Sequence, residues 1–309
     1  MTAQASSVPG SPMDAPAVAA RPIAASRLLY WSLRRELWEY RSVYLAPLAM
    51  AGAVIFGYLF HLAHLSALMR QAMTLAPEPQ RELLGQPYAV ASGLIMSAAA
   101  VVSIFYSLDA LYGERRDRSI LFWKSLPVPD LTTVLAKACV ALLALPAIAF
   151  AITVAALAIM MLLSTVVMLA SGLSVATYWS ILQPFESLFG LLYHLVTVHI
   201  LWYAPLYAWL LLISAWARRA PFLWAVMPPL AVVIFEKVAF RTAHFQDFLM
   251  NRVSGGTEAT NQMQGNVMDP AQHFTPGHFL ATPGLWAGLI FAAIFLYAAA
   301  RMRRYRGPI

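Results

Sequence analysis

The chain alternates long apolar runs with short polar segments. A membrane crossing takes about 20 apolar residues at 1.5 Å rise each. Six runs meet that length, at about 44–65, 88–110, 134–168, 188–216, 221–240 and 279–300. Glu236 and Lys237 sit near one end of the fifth run, and Pro283 and Gly284 open the sixth. The third apolar stretch, Val134–Ala170, is too long for one simple crossing: as a helix its 37 residues would reach about 55 Å, against a hydrocarbon core of ~30 Å. It reads either as one long helix bent at Pro146 or as two short spans joined by a tight turn.

The basic residues decide between these. With six spans and a cytoplasmic amino terminus, sixteen of the 21 Lys and Arg lie on the cytoplasmic side and five outside. Splitting the third run would export Arg218, Arg219 and the arginines at 301–306, against the positive-inside rule. The expected fold class is therefore an all-α integral membrane protein with six transmembrane helices and both termini cytoplasmic.

The segments between the runs add detail. Residues 1–26 are rich in Ala, Ser and Pro and read as a disordered cytoplasmic tail. They lack the apolar core of a signal peptide. Residues 27–43 read as an amphipathic interfacial helix. At 100° per residue Leu29, Tyr30, Leu33, Leu37, Tyr40 and Tyr44 share a stripe, while Arg34, Arg35, Glu36, Glu39 and Arg41 fall elsewhere. The six-span domain fills 44–309. Its expected outer loops are about 64–87, 171–187 and, largest and most polar, 241–278, with short helices at the ends of the last.

Composition agrees with this reading and removes several function classes. Of 309 residues, 61% are hydrophobic and 11% charged, and mean hydropathy is +0.66. That is too little polar surface for a soluble enzyme. The net charge of +7 reads as an orientation signal rather than a nucleic-acid surface. Cys139 is the single cysteine, so no internal disulfide forms. There is no phosphate-binding loop of the G-x-x-x-x-G-K-[ST] type, no H-E-x-x-H and no G-x-S-x-G. No cofactor, metal or catalytic residue is expected in the chain. His61 and His64 lie one helical turn apart and read as interfacial histidines. His199, deep in the fourth run, is the candidate for a substrate path, because ionisable groups inside a membrane carry function by default.

The most informative segment is loop 111–133, between the second and third runs. Glu114, Arg115, Arg116, Asp117 and Arg118 form a mixed-sign cluster, and Ile120, Leu121, Phe122, Trp123, Leu126 and Val128 follow. Pro127 and Pro129 stop any helix there, and Asp130 is placed to cap the next one, which leads through Lys137 into the third span. A short amphipathic helix with a charged entry fits a membrane surface or a docking knob for a cytosolic partner equally well.

Six spans, an amphipathic helix ahead of the first and the segment GERRDRSILFWKSLPVPDLTTVLAK resemble the permease subunits of type 2 ATP-binding-cassette (ABC) exporters. Glu114, Arg115, Arg118, Leu121, Ser125, Leu126, Pro127, Val128 and Lys137 match that family's loop; Ser119 replaces its usual glycine, and Trp123 is bulkier than usual. The detailed likeness covers about 25 residues. It implies a transport subunit that is not itself an enzyme, with ATP and Mg handled by a separate cytosolic ABC ATPase subunit. Residues Glu114, Arg115, Arg116, Asp117, Arg118, Leu121, Phe122, Leu126 and Pro127 would form the coupling helix that docks it. A second permease subunit, identical or different, and membrane lipid complete the implied partners. Short loops and Ala-rich composition fit a bacterial inner (plasma) membrane. The competing classes are a membrane-embedded enzyme acting on lipid or cell-envelope precursors and a membrane anchor or sensor.

Overall fold

The computed structural model describes residues 24–126, 128–256 and 276–309. Among them every regular element is helical, and six helical stretches are long and apolar enough to cross a membrane. Helix α1 (Ala25–Glu39) precedes α2 (Ser42–Ala72) and α3 (Pro77–Asp109). Two short helices, α4 (Tyr112–Arg116) and α5 (Ile120–Ser125), fill the next loop. The third run is continuous, as α6 (Asp130–Cys139), a π-helical segment Val140–Ala144 and α7 (Leu145–Ala170). It is one helix of 41 residues, so the single-span reading holds.

Next come α8 (Val175–Leu182) and α9 (Pro184–His194), a second π segment Leu195–Trp202, and α10 (Ala204–Trp216). The chain closes with α11 (Pro221–Ala239), α12 (His244–Val253), α13 (Pro276–Ala281) and α14 (Pro283–Tyr305). Prolines open α3, α9, α11, α13 and α14 at the first helical position, where a missing N–H costs nothing. Most of the tail, Pro127 and the loop between 256 and 276 lie outside the described residues.

Both π segments sit just ahead of a proline, Pro146 and Pro205. The Leu145 N–H reaches back five residues to the Val140 carbonyl. In that register the Ala141 carbonyl would pair with residue 146, which has no N–H. It accepts the Ser103 hydroxyl instead, at 3.4 Å. Likewise Tyr203 N–H donates to Val198 O at 2.9 Å. The two wide segments pack against each other where the third and fourth spans meet.

Several boundaries differ from the sequence expectation. The expected outer loop at 64–87 is almost entirely helix, and only 73–76 lie between α2 and α3. The helices run on because Leu65, Met69, Ala72 and Leu84 pack with Met168, Tyr178 and Leu182 beyond the apolar runs. The 171–187 loop holds α8, whose N-terminus is capped by Ser174 accepting from Thr177 N–H at 3.3 Å. Short helices do stand at both ends of the 241–278 loop. The fourth crossing stretch is Val175–Trp202 rather than 188–216; the chain bends at Tyr203, and Ala204–Trp216 follows as a shorter apolar helix.

Helices α2, α3 and α7 pack as one unit and α10 with α14 as another, with α3 also against α10. Val198 and Trp202 meet Phe279 and Leu285; Ala204 and Ala208 meet Ala292; Ala215 meets Ala299 and Ala300. The fourth and sixth spans thus run parallel along their length. Small residues at these crossings let backbones approach closely, as helices in lipid require. Large apolar side chains such as Phe56, Phe60, Leu162, Val166 and Phe235 point outward. Helix α11 buries only Ala225.

A buried charge network beneath an exposed apolar loop

The basic end of the bundle gathers α1, α4, α5, the start of α6 and the ends of α10 and α14. At its centre Lys137 is 1% exposed. Its ammonium lies 2.9 and 3.0 Å from the two Glu36 oxygens and 3.0 Å from Glu114 Oε1. The other Glu114 oxygen accepts from Arg303 Nη2 at 3.2 Å. Arg303 also pairs with Asp130, and Arg35 with Glu36. Arg35 further reaches Glu114 at 3.4 Å. Tyr106 donates its hydroxyl to Glu36 at 3.0 Å. Three cations thus face three carboxylates, drawn from α1, α4, α6 and α14.

Burying such charges costs several kcal/mol per ion unless each is paired and hydrogen-bonded. Here pairing is nearly complete: among the described residues the Arg35 and Arg303 Nε atoms make no hydrogen bond, and Arg35 Nε lies 3.8 Å from Glu39. Burial pushes the Glu36 carboxyl up, but the Lys137 and Arg35 charges outweigh it and hold the group below its ordinary value. Glu39, beside it, is held above its ordinary value by burial and by Glu36.

The network clamps the α4–α5 loop. Glu114 and Arg115 are buried. Arg115 Nη1 donates to the Ala215 and Ala217 carbonyls at 2.7 and 3.0 Å, two acceptors left open at the end of α10. Leu111 and Tyr112 N–H groups both donate to Ser214 Oγ, at 3.0 and 2.9 Å. Lys124 donates to the Arg304 and Arg306 carbonyls at 3.3 and 3.2 Å. Arg35 lies 3.9 Å over the Trp123 ring. The loop is therefore fixed to α1 and to the third, fourth and sixth spans.

Its outer surface is different. Leu121 is 59% exposed, Phe122 61% and Leu126 39%. Between α1 and the loop lies a shallow cavity of about 180 Å³, lined by Leu28, Trp31, Trp123, Leu126 and Val128 among others. Arg116, Asp117 and Arg118 are exposed on the rim; Arg116 pairs with Asp117 at 2.9 Å and with Asp109 at 3.8 Å. The nine residues expected to dock a partner thus divide. Glu114 and Arg115 point inward and hold the loop, whereas Arg116, Asp117, Arg118, Leu121, Phe122 and Leu126 face outward. Pro127 lies outside the described residues.

Asp130 does not cap α6; no side chain caps that helix, and the carboxylate pairs with Arg303 instead. Charge pairing outweighs a cap worth about 1 kcal/mol. Glu36, which sequence reading set off the apolar stripe, is the most buried residue of α1. At 100° per residue it falls only about 20° from Leu29, which was the available signal. Trp31 and Trp38 occupy the opposite, exposed face, with Arg34 within 5.3 Å of both rings.

His199 sits in the second π segment, 9% exposed. Its ring meets those of His194 at 5.4 Å and Tyr203 at 5.6 Å. The five-residue spacing to His194 aligns because the winding there is wide. Its Nδ1 has no partner among the described residues. His61 stacks on Tyr58 at 5.4 Å. Among the described residues no three His, Cys, Asp or Glu side chains converge as a metal site. Comparison with protein families, with curated proteins and with solved structures gives no match for this chain.

Proposed function

We propose that this chain is the permease subunit of an ABC exporter. In this reading it moves a substrate across a bacterial inner membrane, with both termini cytoplasmic, and hydrolyses no ATP itself. A separate nucleotide-binding subunit, carrying ATP and Mg, docks on the α4–α5 loop. A second permease subunit completes the pathway.

One observation supports this most. The α4–α5 loop is bolted from below by Glu114, Arg115 and Lys124 to three spans and α1, yet offers Leu121, Phe122 and Leu126 outward. A lever must be stiff where it joins the load and adhesive where it is pushed. A helix that only floated on lipid would not need ion pairs locking it to α6 and α14. ATP-driven motion of the partner changes the spans only if the two spatial arrangements bind it differently, and a rigid loop transmits such a difference.

The test is co-purification of the tagged chain in mild detergent from its native membrane, with an ATPase assay. The expected result is recovery of a nucleotide-binding subunit and its activity, both lost in Leu121→Asp/Leu126→Asp while the chain remains folded. Wild-type chain recovered folded and alone would refute the reading. His199→Ala should alter transport without altering that recovery if His199 lines the path.

A further inference from the structure

A second charged feature at the basic end stands apart from the buried network. A cavity of about 500 Å³ opens beside α4, the α10–α11 turn and the residues after α14. Arg115, Arg218, Tyr305 and Arg306 line it with Gly307, Pro308 and Ile309, and no carboxylate side chain does. In the network every cation faces an acid. Here the charges of Arg306 and Arg218 act on Arg115 with no acidic side chain between them.

The arginines are only partly engaged. Arg115 gives Nη1 to the Ala215 and Ala217 carbonyls, and Arg306 gives Nη1 to the Trp216 carbonyl. These bonds fix two guanidiniums through the open carbonyl end of α10. A guanidinium carries five N–H donors, so Arg115 Nη2 and most of Arg306 remain for another acceptor. Arg218 is exposed and makes no side-chain hydrogen bond among the described residues. Three cations converging on one concavity favour an anion with several acceptor oxygens, and arginine matches phosphate best.

The surroundings select the kind of phosphate. Helix α11 starts three residues after Arg218, and its first turn exposes Phe222, Leu223 and Trp224. Beyond Ala225 no residue of that helix is buried. The Trp216 and Trp224 rings meet edge to face at 4.7 Å, as aromatic pairs do at a headgroup boundary. A soluble phosphate would leave that apolar wall unused, whereas a lipid would lay its acyl chains along it. We propose that this cavity binds the phosphate of an anionic membrane phospholipid, with Arg115, Arg218 and Arg306 as donors and the acyl chains against α11. The proposal does not rest on the permease reading.

The experiment uses the purified, delipidated full chain in mild detergent. Thermal unfolding is followed while phosphatidylglycerol, phosphatidylcholine or inorganic phosphate is added, and half-saturation is read from the rise in Tm. The expected result is tighter, larger stabilisation by phosphatidylglycerol than by either other addition. Arg218→Gln and Arg306→Gln should each weaken half-saturation about fivefold, and Arg70→Gln, on the far side of the bundle, should not. Arg218 is exposed, so its variant tests the site even if Arg306→Gln folds poorly. Equal response to phosphatidylcholine, or no change in Arg218→Gln, would overturn the site. Equal protection by inorganic phosphate would overturn the lipid assignment.

Discussion

The two ends of the bundle are held by different chemistry. At the basic end Lys137, Glu36, Glu114, Arg303, Asp130 and Arg35 form an ion-pair network in which Lys137, Glu36 and Arg303 are almost fully buried. At the opposite end Tyr58, Tyr88, Tyr178 and Ser164 share hydroxyl hydrogen bonds of 2.6–3.0 Å. Two buried ions lie there among the described residues: Arg81, which meets half-exposed Glu186 at 3.5 Å, and Arg252, which rests over the Trp202 ring. Hydroxyls can pair without formal charge, so losing one leaves a modest debt. A buried ion that loses its partner leaves a large one. The basic end is therefore strong only when complete, and it is the end that holds the exposed loop.

Lys137→Met should have the largest effect. It leaves Glu36 and Glu114 facing each other, and the cost is about 3–5 kcal/mol, read as lost monodisperse protein and a lowered unfolding temperature in detergent. Adding Glu36→Gln should recover part of that loss, a coupling that a double-mutant cycle measures. No recovery in the double variant would assign the loss to packing rather than to charge.

Gly288→Ala should come next. An added Cβ would overlap Arg252 Nη2, whose guanidinium rests 4.4 Å over Trp202. The arginine must move, at about 1–3 kcal/mol, seen as a lower unfolding temperature and altered Trp fluorescence. Tyr178→Phe should cost about 0.5–1.5 kcal/mol by the same melts. A cost near that of Lys137→Met would break the contrast between the ends.

The smallest effect is with pH. Glu36 is held below its ordinary carboxylate value of 4.5, so the unfolded chain binds its proton first on acidification. Its contribution is full above that value and is lost as pH falls through the depressed one. Glu39 opposes this, because its raised value makes protonation favour the fold. Melts should stay flat from pH 8 to pH 6 in this respect and fall below the ordinary carboxylate range, and Glu36→Gln should shallow that fall.

The spans were legible because an apolar run is a local signal, and charge asymmetry along the whole chain kept the third run single. Helix ends were less so. Arg70, Glu78 and Glu82 made 64–87 look like a loop, yet they sit on outer faces of helices whose inner faces carry Leu65, Met69 and Leu84. The charge network was visible only in fragments. Its pairs lie far apart in sequence, such as Lys137 with Glu36 and Arg303 with Glu114. A single sequence shows the acids and bases but not which of them meet. Arg115 and Lys124 were seen as charge, whereas their partners are backbone carbonyls that no side-chain pattern announces.

The wide turn at Val140–Ala144 sets the phase of the longest helix. Along it Lys137, Ala141, Leu145, Ala149 and Thr153 are all buried, one every four residues, while an α-helix repeats every 3.6. An inward stripe with that spacing would drift around an unbroken helix, and one turn with an extra residue takes up the slack. Lys137 on one side of that turn and Thr153 on the other keep facing the same neighbours because of it. Were the wide turn to slip along the chain, the part it passed would rotate by about 100°. The third span thus keeps its inward stripe in phase through one wide turn, which begins one turn from the lysine that anchors the loop.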